Sequence, residues 1–155
     1  MNNQWNRGSG MESNKMKVST KWENDFVFSM TNSEGNQLKM DAHMEADGQK
    51  QGVLPMQALL GALAGCAGMD FKAILQPHMD QVNSIEIVTE GTKRETQPKD
   101  FTAINVTFVV TGEGPADKVW RAIKISVEKY CPVAHSVKPD ITYQLLLNGQ
   151  EIPAP

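Results

Sequence analysis

The sequence predicts an α+β fold with the element order β-β-β-α-β-β-α-β around one central helix. The longest apolar segment, Leu54–His78, repeats its apolar residues at a helical spacing of three or four. Short runs of β-branched and aromatic residues, separated by turn-forming clusters, stand on both sides of it, and a second amphipathic segment interrupts the later ones. With 155 residues, 40% hydrophobic and 21% charged, the chain is long enough to bury a real core.

In chain order, residues 1–15 are polar and aperiodic, and read as a disordered leader or a vector-derived segment. Residues 16–155 read as one domain, with no internal repeat and no linker. Val18–Trp22, Phe26–Met30 and Gln37–Asp41 form an expected antiparallel meander, its turns at Glu23–Asp25 and Asn32–Asn36. A polar loop, His43–Val53, leads to the central helix, where Pro55 suits the first turn because its missing N–H is not needed there. Leu59, Leu63, Cys66, Ala67, Asp70 and Ile74 fall on or near one side. Gly61, Gly65 and Gly68 fall on the other. Each glycine costs ~1 kcal/mol of helix stability against alanine, so three together predict a helix packed all round, with a backbone closing on the glycine side.

The helix is expected to end near Gln76-Pro77. Ser84–Glu90 and Phe101–Thr111 then read as strands joined by a charged hairpin loop. Val119, Trp120, Ile123, Val127 and Tyr130 give the second helix its apolar face, and Cys131-Pro132 stops it because proline pushes the preceding residue out of the α region. A short helix over Pro132–Lys138 and a last strand over Ile141–Asn148 complete the order.

Several function classes fall away. Net charge is −3 and the fifteen Lys and Arg are scattered, so no nucleic-acid partner is expected. No apolar run approaches the ~18 residues of a membrane span, and the N-terminus lacks the apolar stretch of a secretory signal. Two cysteines make no disulfide framework, which points to a reducing, cytoplasmic setting. His43, His78 and His135 share no metal-ligand spacing with each other or with the cysteines, and no nucleotide-binding glycine motif occurs, so neither metal nor cofactor is expected.

The cysteines carry the remaining chemistry. Cys66, amid apolar and small residues, reads first as an inert buried thiol, and an ionised Asp70 one turn on would raise its pKa. Cys131 caps the short helix begun by Pro132. There the free N–H groups and the nearby Lys129, His135 and Lys138 favour a thiolate, while simple filling of a corner between helices accounts for it equally well.

Pro55-Met56-Gln57-Ala58-Leu59-Leu60 followed by Gly61-Ala62-Leu63-Ala64-Gly65-Cys66 resembles the central-helix signature of the OsmC/Ohr family, with the family's spacing of eleven from proline to cysteine. Tyr130-Cys131-Pro132-Val133-Ala134 resembles the family's second cysteine segment, and the likeness runs from about Val18 to Asn148. It implies an intertwined homodimer with a buried central helix and two thiol sites at the interface. It further implies a thiol-dependent peroxidase acting on organic hydroperoxides. Cys66 would be the peroxidatic residue, Cys131 the resolving one, and an external thiol the reductant.

The sequence departs from the family where activity is decided. Peroxidatic members carry a glutamate just after the proline and an arginine from the N-terminal part. Met56 stands at the glutamate position, and no arginine lies between Val18 and Cys66. His43, Glu45 and Lys50 are positional candidates for the missing activators. A regular helix would also put Met56 ~15 Å from Cys66 along its axis. The competing expectation is a non-catalytic binding module whose Cys66 lines an apolar pocket at the dimer interface.

Overall fold

The computed structural model describes residues 14–42 and 50–155. Most of the segment expected as a leader, residues 1–13, and the loop residues His43 and Glu45 lie outside the described residues. The chain divides into two compact units between Pro55 and Met56.

The first unit holds an antiparallel sheet of β1 (Ser19–Asn24), β2 (Val27–Thr31) and β3 (Gln37–Asp41), in that order. The expected meander is present. Asn32 makes the β2–β3 turn, its Oδ1 accepting from the N–H groups of Glu34 at 3.1 Å and Asn36 at 2.8 Å, and Gly35 takes a φ of 85°. Val27 is buried, while Trp22 and Phe26 are 65% and 62% exposed, so the sheet on its own covers few of its large apolar groups. Past the undescribed loop, the Val53 N–H donates to Lys39 O at 3.2 Å and the Asp41 N–H to Val53 O at 3.0 Å, fastening the chain to β3 just before the helix.

The second unit is a four-stranded sheet with helices. α1 spans Pro55–Ile74, and a 3₁₀ turn over Gln76–Gln81 follows it, started by Pro77. β4 (Val82–Lys93) and β5 (Phe101–Gly112) form a long antiparallel hairpin whose connection is held by the Arg94–Asp100 ion pair at 2.8 Å. α2 (Ala116–Ile125), a π turn (Ser126–Tyr130) and α3 (Pro132–Ser136) then carry the chain to β6 (Asp140–Leu147), which pairs parallel to β5. β7 (Gln150–Ile152) closes the sheet antiparallel to β6.

The last hairpin departs from the expected order. Asn148 and Gly149 both take positive φ, 52° and 78°, the conformation of a tight two-residue turn. Asn148 also fixes the turn to the sheet, because its side chain accepts from the Gly112 N–H at 2.9 Å and donates to Gly112 O at 2.8 Å. The Asn-Gly pair was the available signal for this strand.

The core lies between the sheet and the helices. Leu63, Ala67, Phe71 and Leu75 of α1 and the segment after it meet Ile104, Val106, Phe108 and Val110 of β5, with Val119, Trp120 and Ile123 of α2. Alternation along β5 follows the period of two, so Asn105 and Thr107 fall on the opposite face, in a row of side-chain hydrogen bonds with Thr142 and Gln144. Phe71 and Phe108 pack with ring centroids 5.1 Å apart. Burying such side chains contributes roughly 1.5–3 kcal/mol each.

Within the second unit α1 is buried along one face only. Gly61 and Gly65 are exposed, and a Cβ on either would meet nothing within 4 Å. Gly68 alone answers the expectation of close approach, and it meets a side chain: a Cβ there would stand 2.7 Å from Ile87 Cδ1 of β4. No described helix is long and apolar enough to cross a membrane.

Candidate functional site

Cys66 sits near the middle of α1, half-buried, one position before the fully buried Ala67. The regular helix sets its direction: Leu63, Ala67 and Phe71 take the core-facing stripe, and Cys66 lies at that stripe's edge. Met69, 54% exposed, Leu59, Gly61, Ala62 and Gly65 form the uncovered side, on which the exposed Lys72 near the C-terminal end carries the charge.

Cys131 is placed by a break in regular structure. A continuous helix through Val127 would turn Tyr130 inward, as its spacing predicts. The π turn inserts one residue per turn instead, with the Cys131 N–H donating to Ser126 O at 2.8 Å. Tyr130 is thereby rotated out to 41% exposure, and Cys131 enters the core with none. Pro132 then begins α3, and the Cys131 sulfur caps it by accepting from the Ala134 N–H at 3.4 Å.

The two thiols, 65 positions apart in the chain, are neighbours, and neither is in a disulfide. Cys66 acts directly on the titration of Cys131, which is pushed up to about 12. Burial is the largest cause, followed by hydrogen bonding with Cys66, while the N–H groups of Ala134 and Val133 pull weakly the other way. The cap therefore does not yield a thiolate. Lys129 leans over the Tyr130 ring, 5.4 Å from its centroid, and the His135 ring bonds Glu128 O at 3.0 Å, so both side chains are engaged elsewhere.

Met56, at the glutamate position, packs on the core, and Lys50 is exposed in the first unit. His78 is half-buried in the 3₁₀ turn. Asp70, one turn beyond Cys66, is half-buried, and its pKa is raised by loss of water. No three His, Cys, Asp or Glu side chains gather as metal ligands among the described residues.

A surface feature without a sequence signal lies on α2 and β6. Glu128 and Tyr143 are hydrogen-bonded, Tyr143 stacks at 6.2 Å on Trp120, and a cleft of about 290 Å³ opens beside them. Tyr143 lies 15 positions from Glu128 and further from Trp120, across a crossover and beyond the reach of any local pattern.

Residues 36–145 match the OsmC-like protein family, a span that holds both cysteine segments. The chain belongs to that family. Protein YhfA of Escherichia coli (strain K12) is 37% identical over 120 residues, covering 77% of this chain and 87% of YhfA. A hypothetical protein from Aquifex aeolicus VF5 shares the fold with a TM-score of 0.70 at 26% identity, over 89% of this chain and 99% of that one. The organic hydroperoxide resistance protein OhrB of Bacillus subtilis superposes with a TM-score of 0.57 at 23% identity, over 86% of this chain and 98% of that one. The OsmC/Ohr-type α+β fold expected from the sequence is thus the fold of this chain.

Proposed function

We propose that this OsmC-like protein is a thiol-dependent peroxidase that reduces organic hydroperoxides, with Cys66 peroxidatic and Cys131 resolving. The observation that carries the reading is the contact between Cys66 and Cys131. A sulfenic acid is recoverable only if a second thiol traps it before further oxidation, and a neighbour in contact does so without a large rearrangement. The division of roles follows exposure. Half-exposed Cys66 can be met by a peroxide, whereas fully buried Cys131 is reached only through Cys66. The outer side of α1, small and apolar from Leu59 to Met69, suits both an apolar hydroperoxide and a second copy of the chain, so we include a homodimer. An external thiol in a reducing compartment, the cytoplasm, closes the cycle.

In the first step sulfur attacks the terminal peroxide oxygen, the S–O bond forms as the O–O bond breaks, and the alcohol leaves. In the second, the Cys131 sulfur attacks the sulfenic sulfur, and its proton leaves with the hydroxyl as water.

The test is peroxide titration of the reduced protein followed by mass spectrometry. A stoichiometric amount of organic hydroperoxide is expected to remove both free thiols and yield a Cys66–Cys131 disulfide, and Cys66→Ser is expected to abolish consumption. Two intact thiols after a modest excess would leave the second reading, a non-catalytic binding module. That reading is favoured by Met56 in place of glutamate and by the raised Cys131 thiol.

A further inference from the structure

We infer that Asp70 is the proton shuttle of the thiol site, taking the proton of Cys66 and delivering it to the departing alkoxide. The inference rests on the peroxidase reading above and names the group that does the work left open by Met56. Along a regular helix residues four apart lie ~6 Å apart axially and face the same way, so Asp70 stands one turn from Cys66. Met56, ten residues before Cys66, is ~15 Å away along the same axis.

Three features suit Asp70 to the role. It makes no hydrogen bond or ion pair among the described residues. The nearest cation on its helix, Lys72, is turned away and donates to Gln76 Oε1 at 2.8 Å. Asp70 also lies in the C-terminal quarter of α1, where the unpaired carbonyls disfavour a negative charge. Half-burial works in the same direction and is the one resolved cause of its raised pKa, so no charged side chain of β4, β5 or α2 enters its titration. Cys66 and Lys72 are the ionisable groups beside it on its own helix. A carboxylate whose affinity for protons has risen toward that of a thiol is a better base for it, and its acid form is still strong enough to protonate an alkoxide.

The step balances without any further reactant. The Cys66 proton passes to the Asp70 carboxylate across one bridging water. Sulfur gives an electron pair to the terminal peroxide oxygen, which leaves with its hydrogen as the sulfenic acid. The O–O pair departs on the alkoxide, which takes the proton back from Asp70. Sulfur is oxidised, the peroxide is reduced, and Asp70 ends as it began. An ionised Asp70 does not lower the thiol pKa, so its help comes from moving the proton and not from its field.

The experiment compares wild type, Asp70→Asn and Asp70→Glu in stopped-flow oxidation of Cys66, with hydroperoxides of graded leaving-group basicity and with iodoacetamide. Iodide needs no proton to leave, so alkylation above about pH 10, where thiols ionise unaided, reports only access to the sulfur. Asp70→Asn is expected to slow peroxide oxidation by about 10²-fold, most for the most basic alkoxide, within the usual range for general acid–base catalysis. It should flatten the acid limb of the pH profile and leave high-pH alkylation unchanged, while Asp70→Glu restores part of the rate. A reactive wild type with an Asp70→Asn of equal rate and pH profile would overturn the shuttle alone. A wild type inert to every hydroperoxide would overturn the peroxidase reading and the shuttle with it. Equal losses in alkylation and peroxide oxidation would assign Asp70 a packing role and overturn the shuttle.

Discussion

Cys66 stands within twenty regular helical residues, half exposed, among alanines and glycines, whereas Cys131 stands where a π turn ends and a proline begins a new helix, with no exposure at all. The first position is made by local sequence: a run of good helix formers sets the direction of every side chain along it. The second is made by misfit. The apolar face of α2 cannot be continued at a period of 3.6 into a proline, so the chain winds one residue wider and exchanges Tyr130 for Cys131 in the core. The contrast shows how one contact between two like groups can hold them in unlike states, one open to reagents and the other kept as a buried thiol.

The largest expected effect sharpens that contrast directly. At pH 8 a thiol held near 12 is thiolate in only about one part in ten thousand, and Cys131 is also shut off from reagents. Limited iodoacetamide at that pH is expected to label Cys66 at least ~10²-fold faster than Cys131, as read by peptide mass spectrometry. Preferential labelling of Cys131 would invert the comparison.

Next in size is the core under Cys66. Phe71→Ala removes a ring packed on Phe108 and is expected to cost about 3–5 kcal/mol in denaturant unfolding. Gly65→Ala tests the other side of the same helix. On an open face alanine would add up to about 1 kcal/mol of stability. Under a second copy at backbone distance, as the proposed homodimer expects, it lowers the dimer's stability, and light scattering should show dissociation at higher concentration than wild type.

The smallest effect concerns Asp70 and pH. Its folded-state pKa lies above its unfolded one, since burial disfavours the charge. Below about pH 3.9 the carboxyl is neutral in both states and contributes nothing. As pH rises through that value the unfolded chain loses its proton first, so the folded state loses stability until the raised folded value is passed. Asp70→Asn should therefore be more stable than wild type at neutral pH and equal to it in acid, as read from Tm by calorimetry across that pH range. A variant less stable at neutral pH would show that the carboxylate has a partner.

Most of the fold was legible because its signals are local. The period of two in Phe101–Thr111, the helical spacing in α1 and the turn cluster at Asn32–Asn36 each fix an element within ten or so residues. β7 has a local signal too, the Asn148-Gly149 pair of a two-residue hairpin turn. Both site cysteines could be picked out as residues, but their states could not. Of the two readings open for Cys131, a thiolate favoured by the helix cap and a thiol filling a corner between helices, burial decides for the second.

By itself, then, the sequence determined which segments become strands and helices, and that a thiol falls in each of two helical contexts, because propensity and periodicity act between near neighbours along the chain. Only the tertiary structure decided that the two thiols meet, that the glycine side of α1 is left uncovered within its own unit, and that Cys131 replaces Tyr130 in the core. Those outcomes depend on water excluded and contacts made between segments dozens of residues apart, and no local pattern records them.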